Sequence, residues 1–124
     1  MINNKITLLI LSHNQRNLEL LTQVLEQANY HTIATNNYSE LATALADYKG
    51  IDLGLIDLAG CDRQIWEYCE QLQSENIPFL TFTPKYNPII ERDSLVHGAS
   101  SIVIKPLVIQ NLLLLIDSLV DNSG

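Results

Sequence analysis

The sequence is short of basic side chains, of cysteine and of long apolar runs. Seven lysines and arginines stand against 14 aspartates and glutamates, a formal net charge of −7 over 124 residues. A surface of that sign repels phosphate backbones, so direct binding to nucleic acid is not expected. The two cysteines, Cys61 and Cys69, show no C-x-x-C spacing and no histidine at zinc spacing. They read as free thiols of a reducing compartment. The opening MINNKITLLILS has one lysine and an apolar run of only six residues, Ile6 to Leu11, too short for a secretory signal. LLLLI near the other end is far too short to cross a bilayer. A cytoplasmic protein without membrane contact is expected. There is no repeat, no low-complexity linker, no G-x-G-x-x-G, no Walker A sequence and no G-x-S-x-G elbow.

What is present is enough apolar material, 47% of residues, for one core without disulfides or metals. A single domain over residues 1–124 is expected. Two periodicities alternate along it. Ile6 to Leu11 is a continuous run suited to a strand buried on both faces. Leu18, Leu21, Leu25 and Ala28 then recur at helical spacing, with Asn14 or Gln15 at the start and Asn29 at the end. His31 to Thr35 is β-like. Asn37 to Glu40 forms a capping box before Leu41, Ala44 and Leu45, and Gly50 closes that helix region. Leu53 to Leu58 is a strand, Ile65 to Leu72 a helix, Phe79 to Thr83 a strand. Asn87-Pro88 opens a helix that runs to Gly98. Ser101 to Ile104 and Ile109 to Val120 complete the fifth strand–helix unit. Such alternation predicts an α/β protein, a doubly wound parallel sheet of flavodoxin-like (βα)5 type with strand order 2-1-3-4-5.

In such a sheet, ligands bind beyond the carboxyl ends of the strands. Standing there are Ser12 and His13 after strand 1, Asp57 ending strand 3, Thr83 after strand 4 and Lys105 after strand 5. A carboxylate, a hydroxyl and an ammonium thus converge on one rim. The stretch SHNQRN has no glycine and does not offer the Ser/Thr/Gly-rich loop that cradles a flavin phosphate.

With these positions in view, the whole chain resembles a receiver domain of bacterial two-component response regulators. In that family an aspartate ending the third strand accepts a phosphoryl group, and Asp57 in DLGLIDL stands there. A threonine or serine ending the fourth strand binds the phosphoryl oxygen and moves on activation, matched by Thr83 in PFLTFTP. A Lys-Pro pair, usually joined by a cis peptide, follows the fifth strand and sets the lysine over the site. Lys105-Pro106 after GASSIVI matches it, as Gly98-Ala99 matches the family's Gly-Ala. The departures are as informative. Ser12 and His13 replace the two acidic residues that hold Mg²⁺. Ile102 replaces the switch aromatic, Gly60-Cys61 the Met/Leu-Pro pair, Ile65 a glycine and Leu115 the arginine of the last helix.

Phosphoryl transfer is mostly positioning and neutralisation of oxygen charge, much of it by the metal. Mg²⁺ wants carboxylate oxygens, a serine hydroxyl is a poor substitute, and imidazole prefers softer metals. Asp57 and a carbonyl near Ala59 are then too little, and Mg²⁺ binding is expected to be weak or absent. Asp57 and Lys105 are expected to persist as an ion pair. The expected function is that of an atypical receiver: a protein-interaction module in signal transduction, not an enzyme, and with no cofactor. The alternative is a phospho-acceptor receiver modified on Asp57 by a partner histidine kinase. A third reading is a metal or ligand sensor using His13 and Asp57. The resemblance implies a protein partner, either a histidine kinase or a downstream target, and a possible homodimer through the helix 4–strand 5–helix 5 face. In the last helix Leu112, Leu113, Ile116, Leu119 and Val120 form a core stripe, which Leu114 and Leu115 widen toward a partner-binding patch.

Overall fold

The computed structural model describes residues 5–121. Five strands, β1 (Thr7–Leu11), β2 (His31–Thr35), β3 (Leu53–Asp57), β4 (Phe79–Thr83) and β5 (Ser101–Ile104), alternate with five helices. The helices are α1 (Gln15–Gln27), α2 (Tyr38–Asp47), α3 (Ile65–Ser74), α4 (Pro88–Val96) and α5 (Ile109–Asp121). All strand pairs are parallel and the order is β2-β1-β3-β4-β5, as the alternating pattern predicts. The strand reach of the Ile6 run begins one residue later, at Thr7, whose N–H is held by the Asp52 carboxylate at 2.8 Å.

Successive strand residues point to opposite faces, so each continuous apolar run feeds two cores. Leu8 and Ile10 pack with Leu53, Leu55, Leu80 and Phe82 beneath α1 and α5. Leu9 and Leu11 pack with Ile33, Ile56 and Phe79 beneath α2 and α3. The three central strands are buried along nearly their whole length, whereas β5 at the sheet edge is only half-buried.

Side-chain caps start the helices where the sequence places them. Asn14 accepts from Asn17 N–H at 2.9 Å, Asn37 from Glu40 N–H at 2.8 Å, and Asn87 from Ile89 N–H at 2.9 Å. Each satisfies a backbone donor that the first turn leaves free. The box at α2 is shifted: the Glu40 carboxylate accepts from Asn36 N–H at 2.7 Å rather than from Asn37. Helix α4 is anchored differently from the rest. Its one fully covered side chain is Ser94, whose hydroxyl meets that of Thr81 at 3.1 Å under the helix. In α5, Leu112, Ile116 and Val120 are buried, and Leu113, Leu115 and Leu119 pack against the same core. Leu114 alone of the expected pair is turned outward, 68% exposed. Among the described residues no helix is long and apolar enough to cross a membrane.

Candidate functional site

The carboxyl ends of β1, β3, β4 and β5 meet at one rim, so residues distant in sequence become neighbours there. The sheet register sets Asp57 beside Phe82 and Thr83 beside Ile104, and Leu58 N–H and Lys105 N–H continue the ladder to Phe82 and Thr83 carbonyls. Lys105 is joined to Pro106 by a cis peptide. Its Nζ donates to Asp57 Oδ2 at 2.6 Å, a short charge-assisted hydrogen bond. The other oxygen, Asp57 Oδ1, accepts from Ala59 N–H at 3.0 Å. The carboxylate side chain is 8% exposed and the lysine 22%. Each carboxylate oxygen therefore accepts one hydrogen bond within the protein.

Around this pair the sequence-derived residues take up other duties. Ser12 is buried, and its hydroxyl donates to the Asn14 carbonyl at 3.3 Å in the turn that opens α1. The His13 ring meets Tyr38 edge-on, with centroids 5.4 Å apart, and Tyr38 stacks on Tyr68. His13 Nε2 is covered without a hydrogen-bond partner. Gly60 lies against His13, where a Cβ would make an ordinary 3.4 Å contact with His13 Cβ, and it is its φ of +80° that favours glycine in this turn. Asn36 holds the β1–α1 loop by donating to the carbonyls of Ser12 and His13 at 3.0 and 3.2 Å. Thr83 is buried at the rim, but its hydroxyl donates to the Lys85 carbonyl at 3.1 Å in its own loop. Of the five expected residues, the structure thus brings Asp57 and Lys105 into direct contact and leaves Ser12, His13 and Thr83 bonded or packed elsewhere.

The rim presents one carboxylate, bonded to an ammonium and an amide, and a hydroxyl bonded to a backbone carbonyl, a donor set poor in the carboxylate oxygens that Mg²⁺ favours. Among the described residues, no three histidine, cysteine or acidic side chains gather as metal ligands.

Cys61 also belongs to the site, which its sequence context does not reveal. Its Sγ donates to the Asp57 backbone carbonyl at 3.3 Å. Burial pushes its thiol up to about 11, opposed by a hydrogen bond with Tyr38 and assisted by the charge of Asp57. Burial likewise raises the Tyr38 phenol above its ordinary value. A second unforeseen feature is a pocket of about 240 Å³ beside the ion pair, between α1 and residues 105–109. Its apolar walls come from Leu20, Leu21 and Val24 on one side and Leu107 and Ile109 on the other.

The sequence matches no family model and no curated protein. Solved structures do match the fold. A two-component response regulator from Clostridium difficile superposes with TM-score 0.87 at 19% identity, covering 97% of this chain and 99% of that one. A CheY-like response regulator receiver domain protein from Methanospirillum hungatei gives 0.86 at 21% identity, covering 96% of each. The receiver domain of a Saccharomyces cerevisiae response regulator, co-crystallised with its histidine phosphotransfer protein, gives 0.82 at 18% identity, covering 99% of this chain and 94% of that one. At these identities the likeness is one of fold.

Proposed function

We propose that the chain is an atypical receiver, a signalling module that works through protein contacts and without the Mg²⁺-dependent phosphoryl cycle. The observation that carries this reading is the donor set of the rim: it holds one carboxylate, Asp57, paired with Lys105 and the Ala59 amide. Ser12 and His13 supply no second carboxylate. Phosphoryl transfer needs the spreading charge on three oxygens to be neutralised, and one ammonium does not do the work of a divalent ion. The Asp57–Lys105 pair then serves to tie the β3 and β5 ends together.

The exposed apolar surface supports a protein contact. Seven of the nine large hydrophobics exposed among the described residues fall between Tyr86 and Leu114, on the loop before α4, on α4, on β5 and after it. Ile89, Ile104 and Leu114 are 61%, 45% and 68% exposed. An exposed apolar surface suits a self-complementary contact, so a second copy of the chain is its simplest occupant. A histidine phosphotransfer protein or a downstream target is the other class of partner for this reading.

A second reading keeps Asp57 as a phospho-acceptor modified by a histidine kinase. It is favoured by the joint presence of Asp57, Thr83 and Lys105 at the rim. Incubation with acetyl phosphate and Mg²⁺, followed by intact-mass measurement, separates the two. The first reading expects an unchanged mass; a phosphoryl adduct that disappears in Asp57→Ala supports the second and refutes the first.

A further inference from the structure

Beside the ion pair lies a pocket that protein–protein contact does not require. It holds about 240 Å³, and apolar side chains make most of its wall. Its polar lining comes from buried Ser12 and Asp57, from Lys105, and from exposed Asn17 at the surface, with buried Phe82 beside them. Leu20 stands half-exposed beside it, so the pocket opens to solvent. An engineered apolar cavity of about 150 Å³ takes benzene. The space here therefore admits one six-membered ring with a polar substituent and a short second one.

The charge in this lining selects the substituent. Asp57 and Lys105 sum to zero. A ligand carboxylate would gain Lys105 but press against Asp57, and a ligand amine would gain Asp57 but press against Lys105. A neutral hydroxyl meets both. Lys105 Nζ has three N–H donors, of which Asp57 Oδ2 takes one. A remaining N–H can donate to a ligand hydroxyl oxygen. Asp57 has two acceptor oxygens with about four lone-pair sites, and the Ala59 amide and Lys105 occupy one each. The ligand O–H can donate to one of those left. Such a group completes the polar lining without adding charge, while its ring covers apolar wall that water otherwise wets.

We propose that this pocket binds a small neutral hydroxylated aromatic molecule, of the phenol class, with its hydroxyl on the Asp57–Lys105 pair and its ring between α1 and the segment leading into α5. The site goes beyond the reading above, since the pocket and its charge balance hold whatever partner the protein contacts.

The test is an amide-spectrum titration of the whole chain with p-cresol, alongside p-toluate and 4-methylbenzylamine, which keep the ring and change the head charge. Saturable shifts confined to residues 12–24, 57–59 and 105–109 are expected, with a dissociation constant on the order of 1 mM for a ligand of this size. The two charged analogues should bind about tenfold or more weakly. Val24→Trp, which fills the pocket from α1, should abolish the shifts; its own amide dispersion reports whether it is folded. Should it not fold, Leu20→Glu, at a half-exposed position, is expected to weaken p-cresol binding about tenfold. Absent or diffuse shifts, equal or tighter binding of either charged analogue, or p-cresol binding unaffected in a folded pocket variant would each overturn the proposal.

Discussion

Breaking the Asp57–Lys105 pair from each side should give unequal losses, and the inequality follows from exposure. In Lys105→Met the apolar stem is kept and the ammonium removed. The Asp57 carboxylate, 8% exposed, then retains only the Ala59 N–H. It loses a charge-assisted hydrogen bond and is left as a buried charge without a counterion, which together cost about 3 kcal/mol. In Asp57→Asn the partner left behind is Lys105, 22% exposed on a flexible stem, whose ammonium can swing to water. That loss should be about 1 kcal/mol. The double variant should lose less than the sum of the two, by a coupling of about 1–2 kcal/mol. Urea unfolding followed by circular dichroism, with all four proteins at one pH and one salt concentration, measures this cycle. Neutralising Asp57 should not stabilise the fold, because no second carboxylate crowds it at the rim. Asp57→Asn more stable than the parent, or Lys105→Met within about 0.5 kcal/mol of it, would refute the pairing argument.

The other perturbations probe the support of the site. Burial raises the thiols of Cys61 and Cys69 from 9.0 to about 11 and about 12, so the folded state holds these protons more tightly than the unfolded chain. Their contribution to stability is full below pH 9.0 and is lost as pH rises through those values, so unfolding midpoints should fall across that range. Iodoacetamide at pH 8 should label both far more slowly in the native protein than in urea. Ser94→Ala strands the fully buried Thr81 hydroxyl and should cost about 1–3 kcal/mol in urea unfolding, with adding Thr81→Val recovering part of it. Leu114→Glu, on a side chain 68% exposed, should leave the unfolding midpoint unchanged and lower the solution mass from dimer to monomer in sedimentation. A monomeric parent would remove the self-contact from the proposal.

The fold was readable because its signals are local. Continuous apolar runs such as LLIL and LGLI demand a two-faced core, and Asn14, Asn37 and Asn87 mark helix starts by their own side-chain chemistry. The convergence of Asp57 and Lys105 was readable through topology, since parallel strands put their carboxyl ends together. The direction of a side chain at that rim was not. The hydroxyls of Ser12 and Thr83 turn to carbonyls two residues away, a local bond that competes with any role at the rim and leaves no trace in spacing. Leu20, Leu21 and Val24 were equally opaque. At helical spacing Leu21 reads as α1's core stripe, and only the packed position of residues 105–109 shows a pocket beside it. The bond from Cys61 to the Asp57 carbonyl needs the tight turn at Gly60, at φ +80°, which the composition of the loop alone does not specify.

The central claim is that the rim does not assemble a metal–phosphoryl site around Asp57. Its most direct test is the amide spectrum recorded with beryllofluoride and Mg²⁺, which together imitate a bound phosphoryl group. The account predicts a spectrum unchanged at Asp57, Leu58, Thr83 and Lys105. Saturable shifts at those amides that require Mg²⁺ and vanish in Asp57→Ala would contradict it.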